Sequence, residues 1–325
     1  MIDTYVKKIV AGEELLFSEA LELANSADSA ELYQAADRLR KNLHKNSLDL
    51  CSIVNAKSGK CSEDCKFCAQ SAHYDVEVAS YDFVDISTAI TLAKENESHG
   101  VQRFSLVTAG RSVSEEHLQK FREVYRALQK ETSLAFCASM GFLTPEKAEQ
   151  LREMGVSRYH CNLETCRSFF PTVCTTHTWD EKVATITIAQ DAGLEVCSGG
   201  IIGMGESLEQ RLELAFELRE LGILSIPLNI LTPIKDTPFE TIQPLTVAEV
   251  LTCVAMFRFI VPKAVIRIAG GRHLLAGEQE KYFKAGANGS IVGNYLTTAG
   301  NSLKEDVEMF KILGFDLPAR TGKAE

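Results

Sequence analysis

From residue 48 onward, short β-prone apolar runs alternate with amphipathic helical runs, and this alternation constrains the fold more than any other feature of the chain. The apolar runs cover 50–54, 104–107, 134–137, 159–163, 194–202, 226–231, 265–268 and 290–292. Helical periodicity falls near 86–99, 112–130, 145–154, 179–192, 207–221, 246–260 and 302–313. A strand–helix–strand order implies parallel pairing, because a parallel neighbour can be reached only by a long crossover, usually helical. Eight such repeats favour closure over an open edge. The expected fold class is therefore α/β, a TIM-type (β/α)8 barrel, with a doubly wound open sheet as the alternative. Before the first run, Leu15, Ala20, Leu21, Leu23, Leu32, Ala36 and Leu39 recur at helical intervals, with Ser18 and Ser29 as candidate helix starts. The expected division is an N-terminal helical cap over 1–47, the barrel over 48–315 and a loose C-terminal tail over 316–325.

A barrel of this kind carries its chemistry at the C-terminal ends of its strands. Directly after the first run, Cys61, Cys65 and Cys68 stand in a C-x3-C-x2-C spacing. Three thiolates are one short of a closed zinc site and one short of a closed iron–sulfur cubane. A cubane held by three cysteines keeps one iron open for a substrate or cofactor. A zinc knuckle would need a second close pair where only His73 is near, and a disulfide would leave one cysteine over. The start of the chain has charges where an export signal needs an apolar core, so its ten cysteines read as metal-binding or reduced thiols in the cytoplasm. The net charge of −10, without any lysine/arginine run, argues against nucleic acid as a partner. No apolar run reaches membrane-spanning length. Inside the later runs, Cys137 and Cys197 have two readings, small buried hydrophobes or thiolate ligands. Arg267 is harder to assign to packing, because a buried guanidinium must find an anionic partner.

The three-cysteine spacing, with Phe67 just before Cys68, resembles the signature of the radical S-adenosylmethionine enzymes, and the wider string from Cys61 to Ser71 resembles the biotin synthases. That resemblance implies a 4Fe–4S cluster on Cys61, Cys65 and Cys68, whose open iron takes S-adenosylmethionine for reductive cleavage. It implies hydrogen abstraction from dethiobiotin and sulfur insertion from an auxiliary iron–sulfur cluster, giving biotin. In the family three strand cysteines and an arginine hold that second cluster; Cys137, Cys197 and Arg267 match, but the second strand here carries Ser105. Cys161 and Cys166 follow the fourth strand instead. The expectation is a relocated ligand set of Cys137, Cys161, Cys197 and Arg267 with Cys166 in reserve, holding a 2Fe–2S cluster as in the family or a four-iron variant. Cys51, Cys174 and Cys253 have no place in that pattern and are assigned to packing or surface thiols.

The resemblance also implies cofactor contacts from Phe67, Thr108, Gly110, Asn162, Glu164 and Ile201. His160, Asn162, Asn229, Thr297 and Thr298 are the implied substrate contacts, although Asn229 could equally satisfy a loop backbone. A flavodoxin- or ferredoxin-type electron donor and a homodimer are the implied partners. Two rival readings remain: a radical enzyme of the same architecture without sulfur insertion, and an electron-transfer protein. The second would favour four cysteines per cluster.

Overall fold

The computed structural model describes residues 2–293 and 302–317. Nine strands form one parallel sheet: β1 (Asp49–Lys57), β2 (Arg103–Thr108), β3 (Ala135–Ser139), β4 (Val156–His160), β5 (Glu195–Cys197), β6 (Gly200–Ile202), β7 (Ser225–Ile230), β8 (Val265–Ile268) and β9 (Gly289–Ile291). Their neighbour order is β5-β4-β3-β2-β1-β9-β8-β7-β6, and the pairing of Cys197 with Ser225 joins β5 to β7 and closes the ring. β5 and β6 are two halves of one expected strand, broken at Ser198 and Gly199, so the barrel has eight staves. Any side chain at Gly199 would place its Cβ 2.0 Å from the carbonyl oxygen of Pro227. The two backbones approach that closely only because the residue is glycine.

Each major helix lies within about three residues of its expected span, and its start has a local cause. Thr178, Ser207, Thr246 and Ser302 each accept the backbone N–H three residues on, and Glu181, Gln210, Glu249 and Glu305 reach back to the capping residue. The sequence periodicity does not mark three short helices, Phe170–Val173, Arg272–Leu275 and Glu280–Lys284. Three helices, Ile2–Val10, Phe17–Ser26 and Ser29–His44, precede β1. Their caps lie a residue or two ahead of the serines proposed as starts: Glu19 accepts from the Leu16 N–H at 2.8 Å, and Asp28 accepts from Ala30 and Glu31. Helix Ser29–His44 packs on helix Val247–Ile260, with Tyr33 Oη donating to the Ala248 carbonyl at 3.0 Å. At the other end of the chain Asp316 pairs with Ser47, and its N–H donates to the Asn46 carbonyl at 2.8 Å, so the first residue of the expected tail is tied down. Residues 318–325 lie outside the described residues.

Period-two alternation along the strands sorts the inward residues into layers. Toward the N-terminal ends, the Asp49 carboxylate lies 2.7 Å from Arg267, 3.7 Å from Arg158 and 3.9 Å from Arg103. Glu195 balances two of these cations, at 2.9 Å from Arg158 and 3.2 Å from Arg103. One step along, Cys51, Ser105, Cys137, Cys197 and the side chain of Arg267 are shut off from solvent. A further step brings Ile53, Val107, Ser139, Pro227, Asn229 and Ile291 to the floor of an open cavity.

Candidate active site

The segment after β1 is held in shape by its own backbone and by a second segment 110 residues away. Cys61 donates to the Gln70 carbonyl at 2.8 Å, Ala72 donates to the Cys61 carbonyl at 2.7 Å, and Cys68 donates to the Cys65 carbonyl at 2.9 Å. The Gln70 side-chain oxygen accepts from the Gly59 N–H at 3.0 Å. Asp64 accepts from the backbone N–H groups of Thr175 at 2.8 Å and Thr176 at 3.1 Å, tying the cysteine loop to the stretch after helix Phe170–Val173. Burial opposes the charge on Asp64, but these donors outweigh it and hold the carboxyl well below the usual range. The neighbouring Glu63 meets His177 Nδ1 at 2.6 Å, the Thr176 hydroxyl at 2.9 Å and Arg111 at 3.2 Å.

Cys61, Cys65 and Cys68 line a cavity of about 330 Å³ over the C-terminal ends of the strands. Phe67, Thr108, Gly110, Asn162 and Glu164 line it too, as do His160 and Asn229. Ile201 lines an adjoining cavity of about 240 Å³, which shares Phe67, Cys68, Asn229 and Ile291 with the first. Thr297 and Thr298 lie outside the described residues.

Two of these residues are fixed by unusual means. Glu164 has a left-handed backbone, φ 71°, which costs a non-glycine residue about 1–2 kcal/mol. The conformation lets its N–H donate to Gly199 at 3.1 Å and its carbonyl accept from Ile201 at 2.8 Å, docking the acid against the broken fifth strand. Burial pushes the Glu164 carboxyl up, with Lys182 Nζ 3.8 Å away as the nearest cation. Asn229 spans two strands, donating to the Gly200 carbonyl at 3.2 Å and accepting from Gly270 N–H at 2.9 Å. It satisfies backbone and faces the cavity at once.

Beneath the cavity floor, Cys137, Cys197 and Arg267 share one buried layer, and Cys161 and Cys166 are not among its close donor atoms. Cys161 directly follows His160 at the end of β4, and its thiol points to the Lys182 carbonyl at 3.8 Å. Cys161 is the first residue past β4, and both it and His160 line the cavity, but its thiol is not among the close donor atoms of Cys51, Cys137 and His160. Cys166 lies in the following loop, its thiol 3.3 Å from the Ser168 hydroxyl. Cys51, assigned from sequence to packing, is instead the thiol that joins the group: the ligand atoms of Cys51, Cys137 and His160 all lie within 4.8 Å of one another. The Cys197 thiol accepts from the Ser225 hydroxyl at 3.3 Å and faces His160. Burial alone would raise that thiol, but His160, Arg267 and Arg158 draw it down to about 6.

The thiol, hydroxyl and nitrogen groups of one dry layer should satisfy each other if the layer were plain core. They do not. Ser105 Oγ, His160 Nε2 and Arg267 Nε are buried without a hydrogen-bond partner. Orphaned donors around clustered thiols fit an inorganic group in the barrel, and the donor set is soft sulfur with nitrogen, as iron–sulfur chemistry prefers.

Cys174, assigned from sequence to packing or a surface thiol, lies instead against the cysteine loop. Its thiol lies 3.8 Å from that of Cys65 and 3.2 Å from His177 Nδ1, and the three form a second group of close donor atoms. The signal was absent from local spacing because Cys174 stands 109 residues from Cys65.

A closed parallel barrel, with an incomplete thiolate set at its mouth and a cavity beside it, is the architecture of a radical S-adenosylmethionine enzyme. Residues 56–218 match the radical SAM superfamily model, and residues 227–316 match the Biotin and Thiamin Synthesis associated domain. The fold superimposes on the crystal structure of methylornithine synthase (PylB) with a TM-score of 0.83 at 18% identity, covering 97% of this chain and 98% of that one. It superimposes on the hydrogenase maturase HydG with a TM-score of 0.82 at 16% identity, covering 97% and 75%. At that identity the likeness speaks for the fold. The sequence goes further: the chain is 59% identical to the biotin synthase of Desulfotalea psychrophila, over 98% of this chain and 96% of that protein. It is 52% identical to the biotin synthase of Acetivibrio thermocellus, over 95% and 97%. The chain belongs to the biotin synthase family. Membership of the wider superfamily brings a 4Fe–4S cluster and S-adenosylmethionine, and the family adds an auxiliary cluster.

Proposed function

We propose that this chain converts dethiobiotin to biotin by radical sulfur insertion, with Cys61, Cys65 and Cys68 holding the cluster that meets S-adenosylmethionine. The observation that carries this reading is the stacking of two donor sets in one barrel: a three-thiol loop at the rim of the cavity and a buried thiol layer under its floor. An enzyme without sulfur insertion has no use for the lower set, and an electron-transfer protein has no use for the cavity. When bound, the upper cluster supplies the electron for cofactor cleavage, and the lower one supplies sulfur.

The protein's own part is to hold and to exclude. Asp64 and Gln70 fix the cysteine loop, so its thiols are presented rather than searched for. Phe67, Thr108, Gly110, Asn162, Glu164 and Ile201 line the two adjoining cavities, and in this reading they contact the cofactor, with Glu164 accepting from the ribose hydroxyls. Asn229, His160 and Asn162 face the substrate's space, with Thr297 and Thr298 assigned by resemblance. Ile53, Val107, Pro227 and Ile291 give the floor an apolar surface, which matters because a primary carbon radical reacts with whatever lies nearest. The electron must come from outside, so a flavodoxin- or ferredoxin-type donor belongs to the reading, as do a homodimer and a cytoplasmic setting. Among the described residues no helix is long and apolar enough to cross a membrane. We assign residues 1–47 as a helical cap on a barrel over 48–315, with 316–325 as tail.

The test is anaerobic turnover of the reconstituted protein with dethiobiotin, S-adenosylmethionine and a low-potential reductant. Biotin and 5′-deoxyadenosine should both be detected by mass spectrometry. Deoxyadenosine without biotin would favour the rival enzyme lacking sulfur insertion.

A further inference from the structure

Resting on the sulfur-insertion reading, the ligand set of the lower site can be read from the strands. The second strand offers only Ser105, whose hydroxyl is a poor iron ligand beside a thiolate, yet a thiol is present one strand away. Cys51 on β1 faces inward with Ile53, and Ser105 pairs with Cys137 on β3. The Cys51 and Cys137 donor atoms nevertheless lie within 4.8 Å of each other, reaching across the short serine between them. The thiol missing from β2 has its counterpart on β1.

The nitrogen donor also needs reassignment. The two terminal nitrogens of Arg267 are spoken for: Nη2 meets the Asp49 carboxylate at 2.7 Å, and Nη1 donates to the Asp49 carbonyl at 3.0 Å and the Ser290 carbonyl at 3.4 Å. A guanidinium clamped by a carboxylate stays protonated and has no lone pair to give a metal. His160 has one. Its Nε2 is buried without a hydrogen-bond partner, and its ring shares the donor group with Cys51 and Cys137.

We propose that the auxiliary cluster of this chain is held by Cys51, Cys137 and Cys197 with His160 as the fourth ligand, and that Arg267 and Asp49 supply only the charge beneath it. Neither Cys161 nor Cys166 takes part.

The experiment is anaerobic reconstitution of the full chain with iron and sulfide, comparing wild type with Cys51→Ala, Cys161→Ala and the double variant Cys51→Ala/Ser105→Cys. Iron and sulfide are counted per chain, Mössbauer spectra separate the two clusters, and pulsed EPR of the reduced auxiliary cluster reads directly bound nitrogen. Loss of even an outer-shell partner weakens metal sites by about 10–100-fold, so loss of a direct ligand in Cys51→Ala should weaken the auxiliary site at least about tenfold, read as iron and sulfide falling toward one cluster per chain. The three-cysteine cluster should persist in that variant and report that the barrel has folded. Cys161→Ala should keep both clusters, and the double variant should regain the lower one. His160→Gln should abolish the directly bound nitrogen signal. Should Cys51→Ala fail to fold, Cys51→Ser keeps the size and polarity of the side chain and should show the same loss. Full auxiliary iron and sulfide in the Cys51 variants, or their loss in Cys161→Ala, overturns the ligand set. A wild type that takes up only one cluster overturns the sulfur-insertion reading itself.

Discussion

Asp49 is the sole acid within 4.0 Å of Arg267 among the described residues, and neutralising it isolates a cation shut off from solvent. Burial alone would raise the Asp49 carboxyl, but Arg267, Arg158 and Arg103 outweigh burial and bring it to about 2, against 3.8 for a free aspartate. A tenfold change in proton affinity is about 1.4 kcal/mol, so the ionised carboxylate contributes about 2–3 kcal/mol to folding. Stripping one partner from a buried pair costs about 3–5 kcal/mol when nothing replaces it. Asp49→Asn should fall at the lower figure, because the amide oxygen still accepts from Arg267 and Glu195 still balances Arg158 and Arg103. With an unfolding entropy of about 2 cal/mol/K per residue, 325 residues give about 0.7 kcal/mol per degree, and the loss becomes about 3–4 °C in Tm. Differential scanning calorimetry of the reduced protein under nitrogen reads this directly. The sign with pH follows from the depressed folded value: the contribution is complete above 3.8 and is lost as pH falls through about 2. The gap between wild type and variant should therefore be constant from pH 8 to about pH 5 and begin to close only below about pH 4. A gap under about 1 °C at pH 7, or one that widens on acidification, would refute the assignment of Asp49 as counter-ion.

Other positions give independent checks. Gly199→Ala sets a methyl 2.0 Å from the Pro227 carbonyl oxygen, so the broken fifth strand must shift; the soluble yield and Tm should both fall, with a cost of about 1–3 kcal/mol seen by calorimetry. Asp306 holds Arg272 through both carboxylate oxygens, at 2.6 and 2.9 Å, with both side chains buried; Asp306→Ala should cost about 3–5 kcal/mol in the same measurement. Burial pushes the Glu217 carboxyl up to about 7, so its neutral form is the one the fold prefers. Stability from that site is complete below about 4.5 and is lost as pH rises through 7, so Glu217→Gln should raise Tm at pH 8 and change it little at pH 4.5.

The fold was legible because each stave and each helix obeys its own period. The helix expected at 246–260 begins at Val247, and its start is written in the Thr-x-x-Glu box from Thr246 to Glu249. The three-cysteine loop was legible because its ligands are neighbours in sequence. Cys51 was not, although the signal was there: residues 49, 51 and 53 share one strand face, so Cys51 had to point where Cys137 and Cys197 point. Cys161 stands past the end of β4, where strand alternation no longer assigns a face, so spacing alone does not say whether its thiol joins the buried layer or the cavity above it. Cys174 could not be placed at all from spacing, because only the return of the chain after helix Phe170–Val173 brings it to Cys65. Local periodicity describes elements and faces; it does not say which loop closes over which strand.

The order of the barrel's layers has a chemical logic. Thiolates in a dry interior need positive charge near them, and cations in a dry interior need acids. Arg267, Arg158 and Arg103 lie on the closed side of the sulfur layer and are themselves answered by Asp49 and Glu195. The cationic girdle therefore stabilises the thiolates without occupying the space above them, where charged side chains would have to be moved for a substrate to approach. That leaves most of the floor to Ile53, Val107, Pro227 and Ile291, with Ser139 and Asn229 as its polar members and no charged side chain in that layer. A radical made at the rim then meets substrate before it meets water, and the sulfur source is the next layer down. Reversing the layers, with the arginines facing the cavity, would draw water to the floor and put acidic and cationic groups between the two sulfur sites. The buried ion network is thus best understood as the condition that lets the thiols sit at the centre beneath a floor that is mostly apolar.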